Sequence, residues 1–514
     1  PQAYRREFEY DKNELLIRTR LNGGETSRIV YDAAGQKIQE ILPNQYDPEL
    51  DIDVTTYNGD YGTRYTYYPS GKLKTVTDAA GNTTHYTYDV YGNLVSEKMP
   101  DGSMNIYTYD IMNRIQRHYF KESETSPQIL LYEYSYGILD DGKTQETQIR
   151  YLNDTEKAVS VTVYDYAGRI VEKQNPDGTK TKTFYNPDGT VNETIAANGA
   201  ITKYQYDGMG RLSEQWSPVS ISDGDTFYSY TKYKYDKAGN KIQESSGKGL
   251  VLLNNLPAIY VTKYYSYTPG GKLESITDAD GRKTDMYYDA DGNVKRKETY
   301  TSLTDKVIEE FEYNHLGKIA EQKLYVRKGD LAGNDYDDSD YAVLTTTYTY
   351  DKNGNLITMK TPDGVVTSYC YDVLDRKIKT SQPGKDEYGN DVTIETYTTY
   401  DWRGNVLTNT DALGRTTVYV YNKRGFLEKM NDPMQGITAW YYDLGGRKIA
   451  EVLPANYDEN KPLEQMERTE YVYDLMDRVK AKILKYQEET YNPARKEWDS
   501  NWVEVVIRAY KYDS

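Results

Sequence analysis

The sequence predicts an all-β fold: tandem antiparallel β-hairpin repeats in one long sheet, coiled as a spiral, hollow β-shell. Three observations predict it. A Tyr-Asp pair returns along the whole chain, and nine of the eighteen intervals between successive units are 21 residues. Each pair opens a tight turn four residues long. The segments between turns alternate with period two and carry no helical periodicity. A fixed period of this size marks a repeat architecture, in which each unit is buried only by its neighbours.

Within a unit, tyrosines two apart, such as Tyr86/Tyr88 and Tyr204/Tyr206, leave one face of a strand, often with Thr between them. Asp then opens a type I turn that Gly closes, as in Asp207-Gly208-Met209-Gly210. An apolar residue follows on schedule: Leu94, Ile115, Ile170, Leu212, Val294, Leu356 or Leu427. A second strand ends in a second turn, written Pro100-Asp101-Gly102, Pro176-Asp177-Gly178 or Pro362-Asp363-Gly364. The candidate repeat-structural residues are Tyr31-Asp32, Tyr88-Asp89, Tyr109-Asp110, Tyr164-Asp165, Tyr206-Asp207 and Tyr235-Asp236. They continue with Tyr288-Asp289, Tyr350-Asp351, Tyr371-Asp372, Tyr400-Asp401, Tyr442-Asp443 and Tyr473-Asp474. Gly35, Gly92, Gly168, Gly210, Gly239, Gly292, Gly354, Gly404 and Gly446 close the turns. Equal spacing is expected to stack the tyrosines of neighbouring units as ladders.

Such units amount to about 36 to 40 strands, a sheet roughly 180 Å wide at about 4.8 Å per strand. Open sheets rarely pass about ten strands without curling, so this one must coil. Leu, Ile, Val and Phe make up only roughly 18% of the chain. That scarcity weighs against a filled interior and favours a hollow spiral. The 57 Tyr, against 6 Phe and 5 Trp, argue against disorder and suit half-wet surfaces.

The chain reads as one continuous module over 1–514, a fragment of a larger protein. Long inserts fall at about 39–64, 116–160, 322–346, 452–469 and 482–508. Two of them look alike: Ile41-Leu42-Pro43-Asn44-Gln45-Tyr46-Asp47 and Val452-Leu453-Pro454-Ala455-Asn456-Tyr457-Asp458. Long loops are where binding often sits, and they are equally tolerated as decoration.

A net charge of −17 disfavours nucleic acid and anionic lipid as partners. Cys370, the only cysteine, excludes an intrachain disulfide and is expected as a small packed side chain. The best apolar run, Leu250-Val251-Leu252-Leu253, is too short to span a bilayer.

The Tyr-Asp-x-x-Gly phrase, followed by Arg/Asn/Lys and then Leu/Ile/Val, resembles the YD-repeat, or Rhs-repeat, family over essentially the whole chain. That family includes bacterial polymorphic Rhs toxins, toxin-complex shell components, wall-associated proteins and teneurins. The resemblance implies a sheet spiralling into a hollow shell. In the toxins such a shell encloses a C-terminal toxic polypeptide, and in teneurins it serves adhesion. Trp440-Tyr441-Tyr442-Asp443-Leu444 reads only as an ordinary unit, so the toxins' self-cleaving core segment is not placed on this chain.

Several motifs tempt. Gly137-Ile138-Leu139-Asp140-Asp141-Gly142-Lys143-Thr144 fits a P-loop pattern, yet strand-like alternation follows it, so a hairpin turn is expected. Asp289-Ala290-Asp291-Gly292-Asn293 is read as a repeat turn. The acidic run Asp335-Tyr336-Asp337-Asp338-Ser339-Asp340 is the better calcium candidate, with a solvated loop the plainer reading. His85, His118 and His315 have no ligand spacing. Trp216, Trp402, Trp440, Trp498 and Trp502 stand outside the repeat and could stack on sugars. No catalytic residue, metal or cofactor is expected.

The function expected is a non-enzymatic shell segment of a large secreted or surface bacterial protein, encapsulating or presenting a C-terminal toxin polypeptide. The alternative is an adhesin whose inserts bind glycans or neighbouring-cell receptors. The expected partners are the remaining repeats and C-terminal region of the parent, with a toxin cargo or surface glycan. No nucleic acid and no membrane span are expected.

Overall fold

The computed structural model describes residues 5–21, 24–222, 225–250, 260–301, 306–327, 341–492, 495 and 497–512. They contain 41 strands, of which 39 join one antiparallel sheet and two form a small separate hairpin. A single 3-10 turn, Leu463–Gln465, is the only helical element among the described residues. The repeat therefore yields the all-β sheet that its period-two pattern predicts.

One repeat explains the rest. Strand β9 (Thr83–Tyr88) pairs with β10 (Leu94–Lys98), which pairs with β11 (Met104–Tyr109). Leu94 faces Tyr88, Ser96 faces Thr87, and the register slips between them as a bulge. The same slip recurs at Tyr31, Tyr109, Tyr206, Tyr288, Tyr400 and Tyr473. Its cause is local. In the turn after Tyr206, the Gly210 amide donates to the Asp207 carbonyl at 2.9 Å and the Asp207 amide to the Arg211 carbonyl at 2.9 Å. Gly210 sits at φ +77°, a type I turn closed by a left-handed residue, which inserts the extra residue of the bulge. Where Gly is missing, Asn113, Asp375 and Asp477 take the same left-handed position, at φ 59°, 60° and 61°.

The chain divides into two compact units. The first comprises Pro1–Tyr10, Leu16–Ser27 and Thr181–Ser368; the second comprises Asp11–Leu15, Arg28–Lys180 and Tyr369–Ser514. Apolar packing is concentrated in the second unit, at the two look-alike inserts. Val30, Ile41 and Tyr57 form one cluster with Tyr46 and Leu50, and Ala439, Val452 and Met466 form the other with Tyr457 and Leu463. Both inserts fold back on the sheet, and the sheet continues beneath them: Gln39 pairs with Arg64, and Ala450 with Glu470. In the first insert a fully buried Arg28 holds Asp51 at 3.0 Å. The insert at 116–160 does something else. It adds a hairpin, β13 (Ile129–Ile138) and β14 (Thr144–Tyr151), to the sheet itself.

One expectation is corrected. Cys370 is exposed, because alternation along Val366–Tyr371 turns Tyr369 and Tyr371 to the half-buried face and Cys370 to the other.

Candidate functional site

Side chains of the repeat phrase form a lock between neighbouring hairpins. In the turn, the Asp207 Oδ1 accepts the amides of Met209 at 2.9 Å and Arg211 at 3.0 Å, while Oδ2 accepts Arg211 Nε at 2.7 Å. These bonds hold the Asp207 carboxyl below the ordinary carboxylate range, the Arg211 side-chain bond first among them. The same Arg211 guanidinium lies 4.7 Å over the ring of Tyr235, the next Tyr-Asp tyrosine. Arg376 covers Tyr400, Arg447 covers Tyr473, and Arg478 covers Tyr512 in the same way. In these units the rung of the expected ladder is a cation rather than a second ring.

The tyrosine hydroxyl completes the lock. Tyr109 donates to the Leu94 carbonyl at 2.7 Å, Tyr235 to Leu212 at 2.9 Å, Tyr442 to Leu427 at 2.8 Å and Tyr473 to Lys448 at 2.8 Å. In each of these four the acceptor is the apolar or Lys residue that restarts the strand one unit earlier. Phe could pack there but could not make this bond, which accounts for Tyr over Phe. Sequence reasoning expected Tyr, Asp and Gly at these turns. It missed this use of the hydroxyl and of the Arg/Lys position, although that position stands in the repeat phrase itself.

Within the second unit a seam joins turns far apart in sequence. Asp101, at the tip of a second turn, takes Arg403 at 2.9 Å, and its carbonyl takes Lys423 Nζ at 2.9 Å. Arg447, buried beside Asp443 at 2.6 Å, also reaches Glu156 at 2.8 Å. Arg150 meets Asp477 at 2.6 Å, and the Leu444 amide donates to the Leu152 carbonyl at 2.8 Å. Burial opposes the Asp101 charge, but its bonds to Ser103 and Arg403 outweigh it and hold the carboxyl below its ordinary value. Burial likewise opposes the Arg447 charge, and Asp443 and Glu156 overcome it, leaving Arg447 raised. Arg424 lies close to a stack of Tyr107, His118 and Tyr132, whose successive centroids are 4.7 and 5.8 Å apart. Burial, and then Arg424, hold His118 below its ordinary value. The first unit has one contact of the same kind, His315 to Glu25 at 2.8 Å.

A cleft of about 520 Å³ opens at this seam, lined by Asp154, Glu156, Tyr442, Arg447, Tyr471 and Tyr473. Arg447 and Glu156 pair within it, and the Tyr442 and Tyr473 hydroxyls are bonded to the Leu427 and Lys448 carbonyls. The Tyr471 hydroxyl, raised by burial and by Glu451, donates to that carboxylate at 2.6 Å. Among the described residues no three His, Cys, Asp or Glu gather to hold a metal.

The tempting motifs resolve into the repeat. The P-loop-like segment is the turn between β13 and β14, with Lys143 paired to Asp141 at 2.7 Å. Asp289 accepts the Asn293 amide at 2.8 Å as an ordinary turn. The run Asp335–Asp340 and the stretch after Leu250 lie outside the described residues. Trp402 stacks with Arg403, Trp440 donates to Glu451 at 3.1 Å, and Trp502 faces Arg468. Trp216 packs on Tyr230, and the Trp498 side chain is outside the described residues. No helix is long and apolar enough to cross a membrane among the described residues.

The fold and its locks define a tandem-repeat sheet whose recurring residues bond hairpin to hairpin. The RHS Repeat family matches residues 67–104 and 350–387. The chain is 22% identical over 467 residues to double-stranded DNA deaminase toxin A of Burkholderia cenocepacia, covering 82% of this chain and 32% of that protein. It is 26% identical over 315 residues to the tRNA3(Ser)-specific nuclease WapA of Bacillus spizizenii, covering 57% of this chain and 12% of that protein. The Photorhabdus luminescens Tc holotoxin pore, solved with a TccC3 variant, shares the fold at a TM-score of 0.51 and 15% identity. That match covers 98% of this chain and 28% of the other. The chain thus spans about a third or less of these relatives. It resembles the Rhs, or YD-repeat, family, whose repeat model matches two of its segments. What it shares with these relatives is the repeat sheet.

Proposed function

We propose that this sheet is a segment of the wall of a hollow β-shell that encapsulates or presents a C-terminal toxin polypeptide of its parent. The observation that carries the reading is that long-range contacts within each unit join turns 290 to 328 residues apart. Asp101 and Arg403 are 302 residues apart, Glu156 and Arg447 are 291, and Glu25 and His315 are 290. Contacts at that reach are those of a sheet whose later strands lie against its earlier ones.

The inserts at 41–57 and 452–466 pack clusters of their own on the sheet, so they serve the wall better than they serve the adhesin alternative.

The test uses the parent polypeptide, with and without this region, under limited proteolysis. Protection of the C-terminal polypeptide only when the repeats are present is the expected result. Equal digestion of both would overturn the reading.

A further inference from the structure

The turn 422–425 departs from the repeat phrase in two linked ways. Where the turn after Tyr206 has Asp207 and Arg211, this one has Asn422 and Phe426. Asn422 Oδ1 still accepts the amides of Arg424 and Phe426, each at 3.0 Å, so the turn keeps its shape. Phe426 stacks on Tyr442 at 5.1 Å, in the place that Arg211 takes over Tyr235. The cation is displaced to Arg424, whose guanidinium lies over Phe426 at 5.0 Å. It reaches a backbone carbonyl, that of Asp443 at 3.4 Å, while the Asp443 carboxylate is taken by Arg447 at 2.6 Å. Burial therefore holds Arg424 below the ordinary arginine value, against the weaker pull of Tyr132 and Asp443.

Across the seam Arg424 acts on His118 and Tyr132. His118, on β12 (Ile115–Lys121), stands between Tyr107 of β11 and Tyr132 of β13, with Tyr134 next in line at 6.3 Å. Its Nε2 lies 3.1 Å from Asn105 Oδ1, and Asn105 Nδ2 donates to Glu97 at 3.2 Å. Asn105 thus turns its acceptor to His118, so Nε2 carries the proton of the neutral ring and a second proton goes to Nδ1. The groups facing His118 are two tyrosines, one amide and one guanidinium. Glu97 stands on β10, two strands and about 10 Å away. Ring faces favour a cation, yet burial and then Arg424 outweigh them and hold His118 below its ordinary value. We propose that the His118–Arg424 contact is an acid-sensitive clasp, in which a second proton on His118 puts two cations together in the seam and loosens the turn 422–425 from β11–β13. Both sides of the contact lie within the second unit, and the clasp does not depend on what the sheet encloses.

The sign follows from the depressed His118. Above the ordinary histidine value of about 6.5 the ring is neutral with the seam open or closed, and the clasp holds. As pH falls below that value the open seam takes up the proton first, so opening is favoured. The strand ladders on either side do not pass through this contact, so the opening is local and melting of the sheet does not measure it. Hydrogen exchange at Leu444 does, because its amide donates across the seam to the Leu152 carbonyl at 2.8 Å. Its protection, corrected for the intrinsic pH dependence of exchange, is expected to fall about threefold or more from pH 7 to pH 5. Asp101, held below its ordinary value, titrates beneath that window. His118→Phe keeps the stack and cannot take the proton, so the fall should vanish. Arg424→Met removes the second cation, so the fall should shrink, and the His118 ring should titrate at higher pH by NMR. Unchanged protection of the unmodified chain between pH 7 and pH 5 would overturn the proposal. So would a fall of the same size in either variant, or a His118 midpoint indifferent to Arg424→Met.

Discussion

The tyrosine hydroxyl is the smallest group on which the architecture depends. Tyr109 is half-buried, and its hydroxyl satisfies the Leu94 carbonyl one unit back at 2.7 Å. Tyr109→Phe keeps the ring and loses that bond, so urea unfolding should show a loss of about 1 kcal/mol. Tyr91, exposed at a turn tip, should tolerate the same change without effect, which separates hydroxyl bonding from ring packing. The turn glycine gives a second case. A Cβ on Gly210 would meet nothing within 4 Å, so the cost of substitution is conformational alone. Gly210→Val should destabilise by about 1 kcal/mol or more, since a β-branched residue resists φ +77°. Gly210→Asn should cost less, because Asn113 already holds that conformation. Equal melting for the two variants would refute the left-handed requirement.

Between elements, the seam carries the charge chemistry. Arg447 and Asp443 are nearly buried together, with side chains 7% and 4% exposed. Arg447→Met leaves a buried carboxylate without its cation and should cost about 3 kcal/mol, read from the unfolding midpoint. Asp101 adds a pH dependence. Its folded pKa is depressed, so its contribution is complete above the unfolded value of about 3.9 and is lost as pH falls through the lower, folded value. Melting should therefore hold steady near neutrality and drop below about pH 4, and Asp101→Asn should flatten part of that drop. How much was legible in the sequence divides along the same line. Strands, turns and their order follow from period-two alternation and Asp-to-Gly spacing, which are local, and the sequence reading anticipated them. The seam joins residues about 300 apart, and Asp101 or Glu156 looks like any other surface carboxylate in sequence. The Arg211-to-Tyr235 rung lies between these cases. Its residues were in the phrase, but their partnership needs the strand-to-strand distance that only the folded sheet supplies. Cys370 was misjudged because alternation alone does not say which face is covered.

For the molecule as a whole, the quantity that departs most from an ordinary folded chain is burial. The protein exposes 31529 Å² of surface at 59.3 kDa. A compact folded monomer of that mass exposes about 19,000 Å². Few large side chains are fully buried, among them Ile17, Ile41, Val30 and Val452, while most strand residues are half-covered. What the sheet does bury thoroughly is its backbone hydrogen bonding, and that surface is polar. On unfolding, newly exposed apolar surface raises the heat capacity and newly exposed polar surface lowers it. A chain that hides little apolar area and much peptide should therefore show a heat-capacity increment below the usual ~12 to 15 cal/mol/K per residue. Its urea m-value should also fall short for its length, because m follows the area exposed. Calorimetry on the isolated chain measures the first directly. An increment at or above the usual range would mean that the sheet's half-wet faces are covered in solution. Repeating the measurement on the parent polypeptide then gives the sign of cargo burial: if the wall encloses a polypeptide against these tyrosines, the increment per residue rises toward the ordinary range.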